Sequence, residues 1–228
     1  MEYDVRRAGL ADDFQRRTRL LHVQAERSGI ISDILKGRAS RFGYALLLRN
    51  LQPAYGQLEA GLERHRETCA LGGIARPEVY RSGALAEDLV RLCGEDGARE
   101  IPLLPAGERY GRRIAEAADH DGAKLVAHAY ARYIGDLSGG QILKRLLRRS
   151  LQLKPDSLSF YEFPQIADIK AFKIAYREAI DRSAGAIDDL ESVVDEAVIA
   201  FELNIAVSEA VCQAAVRPHQ LTAVTPGR

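Results

Sequence analysis

The chain has 228 residues, 32 lysine plus arginine against 32 aspartate plus glutamate, and three cysteines. That length suits one domain able to bury a core and enclose a ligand. A formal net charge of zero gives no global field to draw nucleic acid or an acidic membrane, so partners are recognised locally.

Cys69, Cys93 and Cys212 are widely separated and odd in number, with no CxxC pair. This excludes a disulfide framework and points to a reduced, cytoplasmic protein. Glu2 and Asp4 near the start argue against a signal peptide. No run approaches the roughly 20 consecutive apolar residues of a membrane helix.

Apolar residues recur at helical spacing throughout, predicting an all-α fold with helices near 9–28, 39–66, 81–94, 105–119, 121–151, 167–182 and 185–212. The first carries Leu10, Phe14, Leu21 and Ala25 on one face, with His22 between Thr18 and Glu26. A carboxylate one turn from a helical histidine can orient its ring for an axial iron site, and the same spacing serves a surface ion pair. The other histidines, His65, His120, His128 and His219, lack such a partner in sequence. No ExxH occurs, which excludes a ferritin-like di-iron bundle. In the second helix Pro53 removes a backbone donor, so a kink is expected there.

The fifth segment contains YARYIGDLSGGQ at 130–141, placing Gly135, Gly139 and Gly140 inside strong helix formers. Each interior glycine costs about 1 kcal/mol against alanine. Bare backbone at that cost serves either close helix packing or a flat ligand laid on the helix. Arg132, Asp136, Gly139 or Gly140, and Leu143 share one stripe. The string LSGGQ at 137–141 also occurs in ABC-transporter ATPases, but no phosphate-cradling GxxxxGK[ST] loop accompanies it, and nucleotide hydrolysis is excluded.

Farther on, Pro155 and Pro164 bracket a loop. Lys173 and Arg177 lie four residues apart and share a helix face. Lys144, Arg145, Arg148 and Arg149 offset the dipole of the fifth helix or offer a docking patch. Residues 1–215 read as one domain. The tail 216–228 has too little apolar surface to pack and is expected to be mobile.

Four segments together, LLHVQAE (20–26), YARYIGDLSGGQILK (130–144), FYEFPQIADIKAFKIAYREAI (160–180) and AFELNIAVSEAV (200–211), resemble the biliverdin-forming heme oxygenases. The resemblance implies a helical bundle holding heme b, and no other metal, between the first, proximal helix and a kinked glycine-rich distal helix. It makes His22 the axial iron ligand and Glu26 the partner of its ring. It lays Gly135, Gly139 and Gly140 over the porphyrin, and gives Asp136 a water network that delivers protons on the oxygen side.

Tyr55, Tyr130 and Arg132 match the surrounding hydrogen-bond network, Phe201 and Asn204 the pocket wall, and Lys173 and Arg177 the counter-charges of the propionates. Gln15 stands where the family often has a propionate-binding lysine, and Arg16 or Arg19 is a candidate substitute. The implied reaction opens heme with O2 to biliverdin, carbon monoxide and ferrous iron. Electrons come from a ferredoxin, a flavodoxin or a flavoprotein reductase, with a bilin-using protein as a further implied partner.

Overall fold

In this computed structural model the described residues are 9–216, and among them there is no strand. Ten α-helices follow in order. They are α1 (Leu10–Arg27), α2 (Gly29–Leu35), α3 (Arg41–Arg64), α4 (Ser82–Glu100), α5 (Pro105–Ala117), α6 (Leu125–Ala129), α7 (Gly135–Ser138), α8 (Gly140–Leu151), α9 (Ile169–Ser183) and α10 (Leu190–Val216). A π-helical turn, Tyr130–Ile134, joins α6 to α7. The expected tail lies outside the described residues, apart from Val216, which ends α10.

The two long helices α3 and α10 form the centre. Around them, α3 packs on α4 and α5, while α10 packs on α1, α2, α5 and α6. Tyr44, Leu46, Leu48, Tyr55 and Leu58 of α3 are fully buried, as are Ala197, Ala200 and Val211 of α10. By length and mean hydropathy, 1.4, α10 alone among the described helices is apolar enough to cross a membrane. Here its apolar face belongs to the core, and it carries the charged residues Glu191, Asp195, Glu196, Glu202 and Glu209.

Helix ends are tied by residues distant in sequence. The amide of Ala11 in the first turn of α1 donates to Asp181 Oδ1 of α9 at 2.9 Å, and Arg17 joins α1 to Asp195 of α10 at 2.5 Å. Ser40 caps α3 by accepting from Gly43, and Asp168 caps α9 by accepting from Lys170 and Ala171.

Several elements depart from the sequence reading. α2 occupies a stretch expected to be a loop. Its start depends on Gly29, at φ 58°, where any Cβ would lie 2.4 Å from the backbone of Ser208 on α10. Ser208 Oγ then accepts from Ile31 N and donates to Ser28 O, so α10 completes the end of α2. That stabilisation comes from a residue 177 positions away, which no local pattern reveals.

α3 passes through Pro53 as one element, as expected of the helix at 39–66. Gly111 brings α5 close against the proline ring, so packing holds the turn that loses a hydrogen bond. In α4, Gly94 adopts φ 74° where the expected helix ends, yet helical structure resumes and runs on to Glu100. The segment expected as one helix over 121–151 begins at Leu125 and is divided by the π turn and by Gly139.

Candidate active site

A cavity of about 520 Å³ opens between α1 and the distal run formed by the π turn, α7 and α8. α2 adds Ile31 and Leu35, α3 adds Leu47 and Leu51, and α10 adds Phe201, Asn204 and Ser208.

On the α1 wall His22 faces the cavity with its side chain 60% exposed, and Glu26 Oε1 lies 3.7 Å from Nδ1. That separation is an ion-pair distance, beyond hydrogen-bond range. The carboxylate thus sits on the Nδ1 side of the ring and leaves Nε2 without a protein partner. Phe201 backs the imidazole, ring centroids 6.2 Å apart. Thr18, one turn earlier, is buried and returns its hydroxyl to Phe14 O at 2.7 Å.

The opposite wall is backbone. A Cβ added to Gly135 would meet nothing within 4 Å, and one added to Gly139 would meet only the carbonyl of Gly135 at 3.7 Å. These two glycines therefore do not serve helix packing; they face open cavity. Gly140 differs, since its Cβ would press on the Tyr161 ring at 3.0 Å. The π turn accounts for the placement, because an inserted residue shifts the helical register at a site of function.

Beside the glycines lies a buried polar cluster centred on Arg132. Its Nε and Nη2 donate to Tyr55 Oη at 2.9 and 2.8 Å, Nη1 donates to Asn204 Oδ1, and Nη2 approaches Asp136 Oδ1 at 3.4 Å. Tyr55 in turn donates to Asp136 Oδ2. Burial pushes the Asp136 carboxyl above its usual range, opposed by the Arg132 guanidinium, the Tyr55 hydroxyl and the charge of Arg81. Burial works against charge on Arg132 too, but Tyr55 and Asp136 outweigh it and hold the guanidinium protonated. All three opposing groups favour the ionised carboxylate, which accepts hydrogen bonds and does not donate them.

Behind this wall a second buried group supports it. His128 Nε2 lies 2.9 Å from Glu196 Oε1, and Arg113 Nε donates to the same oxygen at 2.9 Å. Burial lowers His128, with Glu196 opposing. For Glu196 burial raises the carboxyl, but bonds from His128 and Arg113 outweigh it and bring it down. This pairing joins α6 to α10 and is invisible at helical spacing.

At the mouth, Arg177 lines the cavity and donates to Asp12 Oδ1 at 2.9 Å, with Gln15 Oε1 at 3.5 Å. Lys173 does not line it; its Nζ reaches Ser138 Oγ at 3.1 Å, bridging α9 to α7. Arg19 lines the cavity, whereas Arg16 is turned to Asp13 on the exposed side of α1. Tyr130 lines the cavity beside Phe14, ring centroids 5.1 Å apart.

Residues 8–210 match the heme oxygenase family profile. The chain is 36% identical over 201 residues to heme oxygenase 1 of Nostoc sp., covering 87% of this chain and 84% of that one. It is likewise 36% identical over 203 residues to human heme oxygenase 1, covering 88% and 70%. The crystal structure of Synechocystis heme oxygenase-1 in complex with heme superposes with a TM-score of 0.84 at 32% identity, over 92% of this chain and 96% of that one. Heme oxygenase from Leptospira interrogans gives 0.83 at 36%, over 89% and 100%. The chain belongs to the heme oxygenase family.

Of the residues singled out by sequence, His22, Glu26, Tyr130, Arg132, Gly135, Asp136, Gly139, Gly140, Arg177, Phe201 and Asn204 all line this heme-oxygenase cavity. Tyr55 stands behind Asp136, and Lys173 stands at Ser138. Sequence reasoning missed α2, the His128–Glu196–Arg113 group and Arg81. The last is buried, with its guanidinium over the Phe163 ring at 4.3 Å. The one available signal for Glu196 was a carboxylate inside the apolar α10.

Proposed function

We propose that this chain is a heme oxygenase that opens heme b with O2 to biliverdin, carbon monoxide and ferrous iron. The observation that carries the reading is the pairing of a cavity-facing His22 with opposed bare backbone at Gly135 and Gly139. A flat macrocycle needs a ligating nitrogen on one face and no side chains on the other, and these residues meet both demands.

Bound heme is at once the substrate and the source of the iron chemistry that activates dioxygen. His22 would hold the heme iron through its free Nε2, with the Glu26 charge on the Nδ1 side of the ring. Gly135 and Gly139 keep side chains away from the distal face. Asp136, its Oδ2 held by Tyr55 and its charge balanced by Arg132, orders cavity water and lets protons reach the oxygen side without acting as the acid itself. Asn204 fixes the far end of Arg132, tying that geometry to α10.

Arg177 and Arg19 take the heme carboxylates in two-point contact, while Lys173 is held at Ser138 outside the cavity. Gln15 gives that end one cation fewer than a lysine would, so the rotational seating of the macrocycle rests on Arg177 and Arg19. Electrons come from a ferredoxin, a flavodoxin or a flavoprotein reductase. We place its docking face at exposed Arg145, Arg148 and Arg149 on α8, where an acidic partner is steered by charge. The bilin passes to a bilin-using protein. We place the enzyme in the cytoplasm, since its three cysteines are free thiols.

The test is to add hemin, a ferredoxin reducing system and oxygen and to follow the Soret band. It should decay as bilin absorption and carbon monoxide appear. A Soret band that persists under reduction and oxygen would leave a heme carrier and overturn the reading.

A further inference from the structure

We propose that Arg81, buried behind the distal wall, is a positioning residue that serves Asp136 as a second counter-charge. The inference deepens the heme reading, because it concerns the carboxylate which that reading sets on the oxygen side.

Arg81 stands immediately before α4 and is 6% exposed. Its guanidinium donates only to backbone carbonyls, Nε to Val79 O at 3.2 Å, Nη1 to Glu162 O and Nη2 to Glu78 O at 3.4 Å. Among the described residues no carboxylate meets it as an ion pair, whereas Arg132 meets Asp136 and Arg113 meets Glu196. A buried cation left to neutral carbonyls is costly, so its charge needs a reason. Contact with the substrate does not supply one, since Arg81 does not line the cavity.

Two carboxylates are candidates to balance it. Glu59 is buried too, but Oε1 accepts from the amides of Arg81 and Ser82 at 2.5 and 2.9 Å and Oε2 from the Ser82 hydroxyl. That carboxylate caps α4 and fixes backbone, not the guanidinium. Asp136, in contrast, is incompletely paired. Its contact with Arg132 Nη2 is 3.4 Å long, while the shorter bonds of that guanidinium go to Tyr55 and Asn204. Burial works against charge on Arg81, and Asp136 is the largest opposing influence, ahead of Tyr55 and Glu59.

The wall itself places Arg81 one layer behind Asp136. Glu162 and Phe163, which the guanidinium holds, follow Phe160 and Tyr161, which line the cavity. Phe160 meets Tyr55 edge-on at 5.4 Å, and Tyr55 donates to Asp136. The titratable groups acting on Asp136 are Tyr55 of α3, Tyr110 of α5, Arg132 of the π turn, Tyr161 beyond α8 and Arg81. Burial raises all three phenols above their ordinary value, so they stay neutral. Two cations therefore set the charge around this carboxylate, Arg132 by contact and Arg81 through its field.

To test this, the full heme-free chain carrying carbon-13 aspartate is titrated with acid, and the Asp136 carboxyl carbon is followed by NMR. Its signal is assigned by its loss in Asp136→Asn. Arg81→Gln removes the charge and keeps a donor for the carbonyls, while Arg81→Lys keeps the charge and loses the planar fork. Arg81→Met, which fills the space on the Phe163 ring, replaces Arg81→Gln if the latter lacks a helical circular dichroism spectrum. The protonation midpoint of Asp136 should move to higher pH in the neutral variant and stay near wild type in Arg81→Lys. In the heme-loaded enzyme the acidic limb of the pH profile for bilin formation should move in the same direction. A merely structural role would lower the melting temperature in both variants and leave both midpoints in place. An unmoved Asp136 midpoint in the neutral variant, or an equal shift in Arg81→Lys, overturns the proposal and leaves the heme reading intact. The carbon titration contains no heme, so failure of hemin to give a Soret band overturns the heme reading alone.

Discussion

The two walls of the cavity are built on opposite principles. On α1 the His22 and Glu26 side chains are 60% and 58% exposed, and their contact is local, between residues four apart. An exposed pair of this kind is worth about 0–1 kcal/mol. Across the cavity Arg132, Asp136 and Tyr55 are buried and joined by bonds spanning α3, the π turn, α7 and α10. The α1 wall therefore presents one adaptable pair, while the opposite wall is a pre-set polar cluster that is costly to disturb. Under the proposed function, a ligand that enters and leaves as product is served by that asymmetry, because the α1 wall can yield while the opposite wall stays fixed.

The comparison breaks most visibly at His22. His22→Ala should lower bilin formation by more than about 100-fold, exceeding what loss of a supporting partner costs. It should shift the Soret band of the loaded protein and leave the melting temperature unchanged; a large fall in melting temperature would show that the α1 wall is structural after all.

Asp136→Ala should reduce bilin yield on the order of 10-fold to 100-fold while heme still binds, and it should cost about 3 kcal/mol by stranding Arg132. Normal yield would remove Asp136 from its role, and unchanged stability would mean that Tyr55 and Asn204 suffice for Arg132.

The buried group behind the distal wall makes stability depend on pH. His128 is held below its ordinary value of 6.5 and Glu196 below 4.5. In both cases the unfolded chain binds protons more readily than the folded one. Stability is therefore full above about pH 6.5 and is lost as pH falls, first through His128 and then through Glu196. The melting temperature should drop from pH 6.5 downward as His128 takes up a proton and again below pH 4.5 as Glu196 does. Glu196→Gln should lower it at neutral pH, steepen the upper drop by removing the group that opposes desolvation of His128, and abolish the lower one. A pH-independent melting temperature would contradict the assignment.

The smallest effect is the most discriminating. Because a side chain at Gly135 meets nothing, Gly135→Ala should stabilise the ligand-free protein by up to about 1 kcal/mol and weaken heme binding. Calorimetry and hemin titration should move in opposite directions, and destabilisation would restore the packing explanation for this glycine.

How much of this was legible in the sequence follows from the range of each interaction. The helices, the His22–Glu26 spacing and the unusual cost of glycines in the distal segment are local properties, written at periods of three and four residues. Most of the residues singled out from these patterns and from the family resemblance line the cavity. The choice between packing and ligand for Gly135 and Gly139 could not be read there, because it depends on what stands opposite them in space.

Arg132 meets Asn204 across 72 positions and Tyr55 meets Asp136 across 81, and His128 finds Glu196 across 68. α2 owes its start to Ser208, and Lys173 turns to Ser138 although its spacing from Arg177 predicted a shared task. By itself the sequence determined the helices, the family resemblance and the His22–Glu26 spacing on α1. Only the tertiary structure decided which buried charges balance one another, because desolvation and pairing are set by neighbours that the fold, not the chain order, brings together.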